Sequence, residues 1–360
     1  MKKIIWFRTD RLGDFIINSH LIKAMSEKSE DIYTIVVCSP INKELIKEYE
    51  FIDEVIIYDK SLSLIKKVGL VLQILSNKYE ISIAIDGKSI SYLCSALIRS
   101  KNKIGILYKK RIKILNFIKF TKYKPLIFKK LSQILLFHST VEISSKDSLE
   151  HEEHLPTICI ESLNKFNLGI SSSSKYIFPF KEEYDSKMKT FLDKVKFNDY
   201  LLFHLDDKWN DIKNFSIESV NFFKNIQIST NKKIILTSFN YDSEYLNFLK
   251  DSNEIIKFSK NYQISYPINK NIILIENSSL FEFERLIYYS QISISCHSGF
   301  LVQVSGANHS NVIDIINEND STWIDCWVPK NTNYDRIFKT KKNKKIPINE
   351  LSEQLIKKIV

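Results

Sequence analysis

Three short stretches bring together residue types able to move protons or hold phosphate. In the first, Ile4-Ile5-Trp6-Phe7 runs into Arg8-Thr9-Asp10-Arg11-Leu12-Gly13-Asp14 and on into Phe15-Ile16-Ile17. The pattern predicts a buried strand, a tight turn at Gly13 and an amphipathic helix with Asp14 in its first turn. Such a turn stands at the carboxyl edge of a parallel sheet, where open α/β folds bind ligands. A carboxylate there is favoured as an anion by the helix dipole and can act as a base on a substrate hydroxyl within hydrogen-bond reach. The same residue also fits an aspartate that only caps its helix. The second stretch, Ile292-Ser293-Ile294-Ser295-Cys296-His297-Ser298-Gly299, predicts another strand-to-helix turn. A hydroxyl and bare backbone N–H groups at a helix N-terminus make an anion site suited to a diphosphate. His297 can donate to that anion or carry positive charge against it, or be a half-buried histidine bonded to a neighbouring carbonyl. The third, His151-Glu152-Glu153-His154, spaces its histidines three apart, not four as in HExxH, and no further ligand lies near in sequence.

Apolar, β-branched runs alternate with helical patterns, and these elements must position the turns. Lys3–Phe7, Tyr33–Cys38, Glu54–Tyr58 and Ile81–Ile85 read as strands, with helices at Phe15–Ser26, Ile41–Tyr49, Ser63–Leu75 and Ser89–Arg99. This is the βαβ rhythm of a parallel sheet. It restarts with strands at Tyr200–His204, Lys233–Thr237, Ile255–Phe258, Ile272–Glu276, Ile292–Cys296 and Asn311–Ile316. Helices at Ile217–Gln227, Ser243–Lys250 and Leu280–Ser290 fall between them. The polar run from Leu168 to Lys175 reads as a linker. The expectation is an α/β protein of two doubly wound Rossmann-like sheets facing a cleft. Its domains are 1–168, 169–345, and a C-terminal helix at 346–360 that packs back on the first domain. There is no GxGxxG, GxxxxGK[ST] or GxSxG, which argues against dinucleotide oxidoreductases, P-loop NTPases and α/β-hydrolases.

The net charge of +10 is uneven. Between Ser61 and Thr140, sixteen Lys and Arg face two acids, Glu80 and Asp86, a local balance of +14 that leaves the rest of the chain slightly acidic. Basic residues interleave with apolar ones from Ile104 to Phe120, a pattern suited to anionic phospholipid or a phosphorylated glycolipid. It equally suits a solvated lysine face with no partner. No RNA-binding signature accompanies it, so no nucleic-acid partner is expected. Five scattered cysteines without a CxxC pair fit a reducing compartment. Arg8, Asp10, Arg11 and Asp14 interrupt the N-terminus too early for a signal peptide, so the expected location is the cytoplasm, at the inner face of its membrane if the basic region docks there.

Arg8-x-Asp10-x-x-Gly13-Asp14 before an apolar helix resembles the N-terminal signature of the family 9 glycosyltransferases, the lipopolysaccharide heptosyltransferase family. Three more blocks follow in that family's order. Ile83-Ala84-Ile85-Asp86-Gly87-Lys88-Ser89, then a helix and Lys103-Ile104-Gly105, is similar to its acceptor-domain block. Lys213-Asn214-Phe215-Ser216, after His204-Leu205-Asp206-Asp207-Lys208, is similar to Lys-x-Trp-Pro with Phe for Trp and Ser for Pro. Ser298-Gly299 is similar to the Thr-Gly of Asp-Thr-Gly, with His297 in place of the Asp and Val302 where His is common. Leu163–Gly169 fits loosely the family's Leu-x-x-Leu-Gly at the domain junction.

The resemblance implies a GT-B fold and an inverting glycosyltransferase with a nucleotide-diphosphate sugar, heptose among the candidates, as donor. Asp14 would be the catalytic base. Lys213, with Lys208 in reserve, and His297, Ser298 and Gly299 would hold the diphosphate, and Glu244 the donor ribose. Arg11, Gly13 and Lys88 would meet the acceptor, a glycolipid or phosphorylated glycan. No cofactor or metal is expected, Asp206-Asp207 being the nearest approach to a DxD motif. Two alternatives stay open: a nucleotide-sugar epimerase or hydrolase on the same fold, and a non-catalytic module that binds anionic surfaces.

Overall fold

A computed structural model describes residues 1–114, 118–124, 137–144, 155–164, 176–239, 243–252, 255–258, 270–330, 332–342 and 344–360. The chain divides into two compact units. The first comprises Met1–Pro179 with Asp325–Trp327, the second Phe180–Ile324 with Val328–Val360. The His151–His154 cluster, the Leu168–Lys175 linker and the Leu-x-x-Leu-Gly match beyond Asn164 lie outside the described residues.

In the first unit the order is β1 (Lys2–Arg8), α1 (Leu12–Ser26), β2 (Ile32–Cys38), α2 (Lys43–Ile46), β3 (Glu54–Ile57), α3 (Leu64–Leu75), β4 (Lys78–Ala84), α4 (Ser89–Leu97), β5 (Arg99–Ile114), β6 (Ile118–Lys124), β7 (Ser139–Ser144) and α5 (Leu155–Asn164). The sheet runs β3-β2-β1-β4-β5-β6, with β7 also paired to β5. Pairing is parallel except between β5 and β6. β1 is central, so Ile4 to Phe7 are buried on both faces, as parallel sheets covered by helices require. The chain winds one way from β1 to β3 and the other way from β3 to β5. Right-handed crossovers therefore set α3 and α4 on the face opposite α1. Ile5, Phe7, Ile35, Val37 and Ile56 form one core cluster with Ile74, Tyr92 and Cys94 from those two helices.

The second unit follows as α6 (Glu182–Val195), β8 (Tyr200–Leu205), α7 (Phe215–Thr230), β9 (Lys233–Ser238), α8 (Glu244–Asp251), β10 (Ile256–Phe258), β11 (Ile272–Glu276), α9 (Leu280–Tyr289), β12 (Ile292–Ser295), α10 (Gly299–Asn308), β13 (Val312–Asn317), α11 (Ser321–Asp325, whose last residue joins the first unit), β14 (Tyr334–Lys341), β15 (Lys344–Lys345) and α12 (Ile348–Ile359). Its sheet runs β10-β11-β9-β8-β12-β13-β14-β15 and is parallel up to β14. The fold class is thus α/β with two parallel-dominated, doubly wound sheets, as the βαβ rhythm predicts.

Two readings change, and one element is new. The C-terminal helix α12, expected to pack back on the N-terminal domain, buries Ile348, Leu351 and Leu355 in the second unit's own core with Phe222 and Phe223 of α7. Its period places these apolar residues on one face, and that face is satisfied within its own unit. The basic run after Lys103 is strand, with β5 and β6 paired from Tyr108–Lys124 to Ile114–Ile118. The alternation Arg111-Ile112-Lys113-Ile114 is the period of a strand. Gly13 is no tight turn but part of α1, which starts at Leu12. Among the described residues no helix is long and apolar enough to cross a membrane.

Candidate functional site

In the first unit, parallel pairing of β1 with β4 brings two loops together at the carboxyl edge of the sheet. Asp86 joins them. Its Oδ2 accepts from the Thr9 amide at 3.0 Å and from the Thr9 and Ser91 hydroxyls at 2.6 Å each, and its Oδ1 from the Lys88 amide at 3.0 Å. Gly87 follows at φ +66, and a Cβ there would lie 2.7 Å from the Tyr108 ring, so only glycine makes this turn without strain. Lys88 directly precedes α4, leaving its side chain half-buried at the same edge.

Arg8 holds the α1 turn from beneath. Nearly fully buried, it donates from Nε to the Asp14 carbonyl at 2.9 Å and from Nη1 to the Ile85 carbonyl at 2.8 Å, and pairs with Asp10 Oδ2 at 3.1 Å. Burial works against its charge, but Asp10, Asp14 and Asp86 more than offset this and raise its pKa. The Asp14 carbonyl also accepts from Asn18 Nδ2 at 2.9 Å. With its backbone carbonyl held by both Arg8 and Asn18, the half-buried Asp14 carboxylate makes, among the described residues, one long contact, 3.4 Å from the Arg11 amide. Arg11 itself is exposed and Gly13 buried. Asp14, Arg11 and Gly13 therefore share one turn, and Lys88 occupies the next.

Asp10 is the residue that sequence reasoning passed over. Only 13% of its side chain is exposed, and Oδ1 has no hydrogen-bond partner among the described residues. Burial pushes its carboxyl up to about 7, against the pull of Arg8, and the charges of Asp14 and Asp86 add to the rise. A carboxyl that holds its proton unusually tightly thus stands four residues before Asp14, just ahead of α1.

In the second unit, the carboxyl ends of β8, β12 and β13 lie side by side, with Ser295 paired to His204 and to Asp314. His297 adopts a left-handed conformation, φ 59, and its carbonyl accepts from Lys208 Nζ at 2.7 Å. Its Nδ1 lies 2.8 Å from Oδ2 of fully buried Asp314, which also accepts from the Tyr334 hydroxyl at 3.1 Å. An ionised carboxylate only accepts, so Nδ1 donates and Nε2 is left for a ligand. Ser298 caps α10, accepting from the Leu301 amide at 3.4 Å, and a Cβ on Gly299 would meet only open space. Lys208, His297, Ser298 and Gly299 are therefore gathered at one helix N-terminus, where N–H groups, an ammonium and an imidazole converge.

Lys213 and Glu244 do not join this group. Lys213 is exposed between Ile212 and α7, its backbone bridged to Pro347, and Glu244 is exposed in the first turn of α8. Lys208, held in reserve on sequence grounds, is the lysine placed at the α10 turn. It is anchored by Asp206 at 3.3 Å, and Asp206 in turn accepts from the Lys208 amide at 3.1 Å. His204, weighed for a polar role, is a core residue. Burial pushes it down to about 3, Nδ1 lies 3.2 Å from the Thr237 hydroxyl, and its ring packs 4.6 Å from Phe283.

No protein-family model and no curated protein sequence matches this chain. Solved structures do match in fold. A family 9 glycosyl transferase from Veillonella parvula matches with a TM-score of 0.66 at 13% identity, over 99% of this chain and 96% of that one. The ADP-heptose LPS heptosyltransferase II of E. coli gives 0.65 at 12% identity, over 100% and 98%. E. coli heptosyltransferase WaaC with ADP gives 0.62 at 13% identity, over 99% and 100%. The chain has the GT-B fold of these glycosyltransferases over its whole length.

Proposed function

We propose that the chain is an inverting glycosyltransferase that moves a sugar from a nucleotide-diphosphate donor to a hydroxyl of a glycolipid or phosphorylated glycan, without a metal ion. The observation that carries the reading is Lys208, fixed by the His297 carbonyl at the N-terminus of α10, on a fold shared with nucleotide-sugar enzymes. Asp14 accepts the acceptor's hydroxyl proton as that oxygen attacks the anomeric carbon from the side opposite the diphosphate. The bond from the anomeric carbon to the diphosphate oxygen breaks, its electron pair stays on phosphate, and one displacement inverts the centre. Lys208, the first N–H groups of α10 and His297 offset the growing negative charge, which is the largest contribution such sites make. Lys213 and Glu244 would reach the diphosphate and ribose only from exposed positions. The relatives' names make ADP-heptose the first donor to try.

The test is a panel of nucleotides and nucleotide-sugars in thermal denaturation, followed by transfer assays with the one that binds. A ligand at 100 times its dissociation constant adds about 2.7 kcal/mol to stability, and Lys208→Ala should abolish most of that gain. If no nucleotide-sugar stabilises the chain, the donor reading fails and a non-catalytic module remains. Turnover of the donor with no acceptor present would assign an epimerase or hydrolase instead.

A further inference from the structure

Helix α3 carries apolar residues on two faces. Leu70, Val71, Ile74 and Leu75 face the sheet, yet Leu64, Ile65, Val68 and Leu72 form a second stripe on the outside. Leu64 is 76% exposed and Ile65 84%, and the other two are exposed by about half. On the neighbouring helix α4, Leu93 and Leu97 stand exposed one turn apart. A helix at the surface ordinarily turns polar residues to water, and a clustered apolar exposure rimmed by charge marks an interaction surface.

The charge around the stripe selects the partner. Lys66 and Lys67 lie on α3 and Lys60 and Lys78 flank it, with no acid from Lys60 to Tyr79, and α4 carries no charge before Arg99. The two acids between Lys60 and Glu142 are both engaged: Glu80 pairs with Lys101 at 2.9 Å, and Asp86 is buried in its loop network. A second copy of the chain docking on this face in two-fold fashion would set one acid-free, lysine-bearing surface against another. An anionic bilayer accepts both components, taking the leucines into its acyl boundary and the lysines among its headgroups. We propose that the outer face of α3 and α4 is a membrane-docking surface for anionic phospholipid.

The placement suits the proposed reaction, on which this last step rests. α3 and α4 start at the carboxyl edge of the first sheet, so Leu64 and Ile65 share that edge with the loops bearing Asp14 and Lys88. A lipid-borne acceptor would then enter the first unit from the surface to which that unit is bound.

Co-sedimentation of the full chain with phosphatidylcholine vesicles, with and without phosphatidylglycerol, tests the surface directly. Binding should require phosphatidylglycerol and weaken in high salt. The double variant Leu64→Glu/Ile65→Glu should lose binding by about tenfold or more, and Lys66→Gln/Lys67→Gln several-fold. Ile217→Glu, an equally exposed apolar site on α7 of the other unit, should leave it unchanged. No binding to anionic vesicles at low salt, or binding indifferent to the α3 variants, overturns the proposal. So does a dimer of the wild-type chain in light scattering that the α3 variants convert to monomer. Nucleotide stabilisation measured on the same variants separates the two readings: it should persist when docking is lost, and its absence from the wild type removes the donor site while leaving the vesicle result standing.

Discussion

Asp10 gives the sharpest physical test of the first-unit turn, because its carboxyl is lifted from 3.8 to about 7 by burial, with Arg8 opposing the rise. A carboxylate with a raised folded-state pKa holds its proton more tightly in the native than in the unfolded chain. Below the unfolded value both states are protonated and the shift costs nothing. As pH climbs from about 4 to about 7, the unfolded chain ionises first and native stability falls. Above about 7 the loss is complete. A shift of about 3 units corresponds to about 4 kcal/mol at most, at 1.36 kcal/mol per unit. The perturbation is Asp10→Asn, which keeps an oxygen for Arg8 and removes the titration. The readout is the difference in unfolding free energy between wild type and variant, from urea titrations between about pH 4 and about pH 8. Exchange of β1 amides isolates the transition of the first unit from that of the second. Relative to the variant, the wild type should lose on the order of 4 kcal/mol across this range and then level off. A difference that stays flat, or that grows in favour of the wild type with rising pH, would refute the buried, strained carboxylate.

Asp14→Asn should lower turnover by about a hundredfold or more while melting like the wild type, since Arg8 and Asn18 bind the backbone carbonyl that the variant keeps; near-normal transfer would remove Asp14 from the mechanism. His297→Ala should weaken donor binding in calorimetry by about 1.5–3 kcal/mol, the scale of a charged hydrogen bond, and Asp314→Asn by less, because it loosens the imidazole without deleting it. An unchanged dissociation constant in both variants would make the pair purely structural.

Much of the fold is legible in the residues because parallel strands announce themselves. Ile4–Phe7 and Leu201–Phe203 are apolar on both faces, which only a covered central strand explains. The β5–β6 ribbon was hidden because its lysines read as a charged surface before they read as an alternation. The destination of α12 was hidden for a different reason: an amphipathic face states that it must be buried, and nothing in its period says against which element. At the site, Asp14 and Ser298-Gly299 were visible because each follows a strand and opens a helix. Their supports were not. Asp86 reaches Thr9 only because β1 lies next to β4, a neighbour relation that a separation of 77 positions in the sequence does not reveal. Lys208 outranks Lys213 for a similar reason, since the short 3-10 turn from Asp207 to Asp211 aims one lysine at His297 and leaves the other outside.

His297 shows how a departure from a family pattern can be read physically. Replacing an expected aspartate by histidine at a helix N-terminus looks, in one dimension, like the loss of a carboxylate. In the fold the carboxylate is one strand away: the register that pairs Ser295 with Asp314 puts a fully buried acid 2.8 Å from His297 Nδ1, and Tyr334 from β14 fixes its orientation. Asp314 Oδ1 has no hydrogen-bond partner among the described residues. The ring is thereby held in one tautomer, with Nε2 as its outward nitrogen. As imidazolium that nitrogen can donate to a phosphate oxygen, and as neutral imidazole it can only accept, from a ribose or sugar hydroxyl. The turn therefore differs from an Asp-Thr-Gly turn in the sign of what it can offer a ligand. The left-handed backbone at His297, costly for a side-chain-bearing residue, is what turns its carbonyl onto Lys208 while its ring reaches Asp314. A single strained residue thus couples the cation and the imidazole at the start of α10. That coupling accounts for a turn that keeps Ser298 and Gly299 while changing the residue before them.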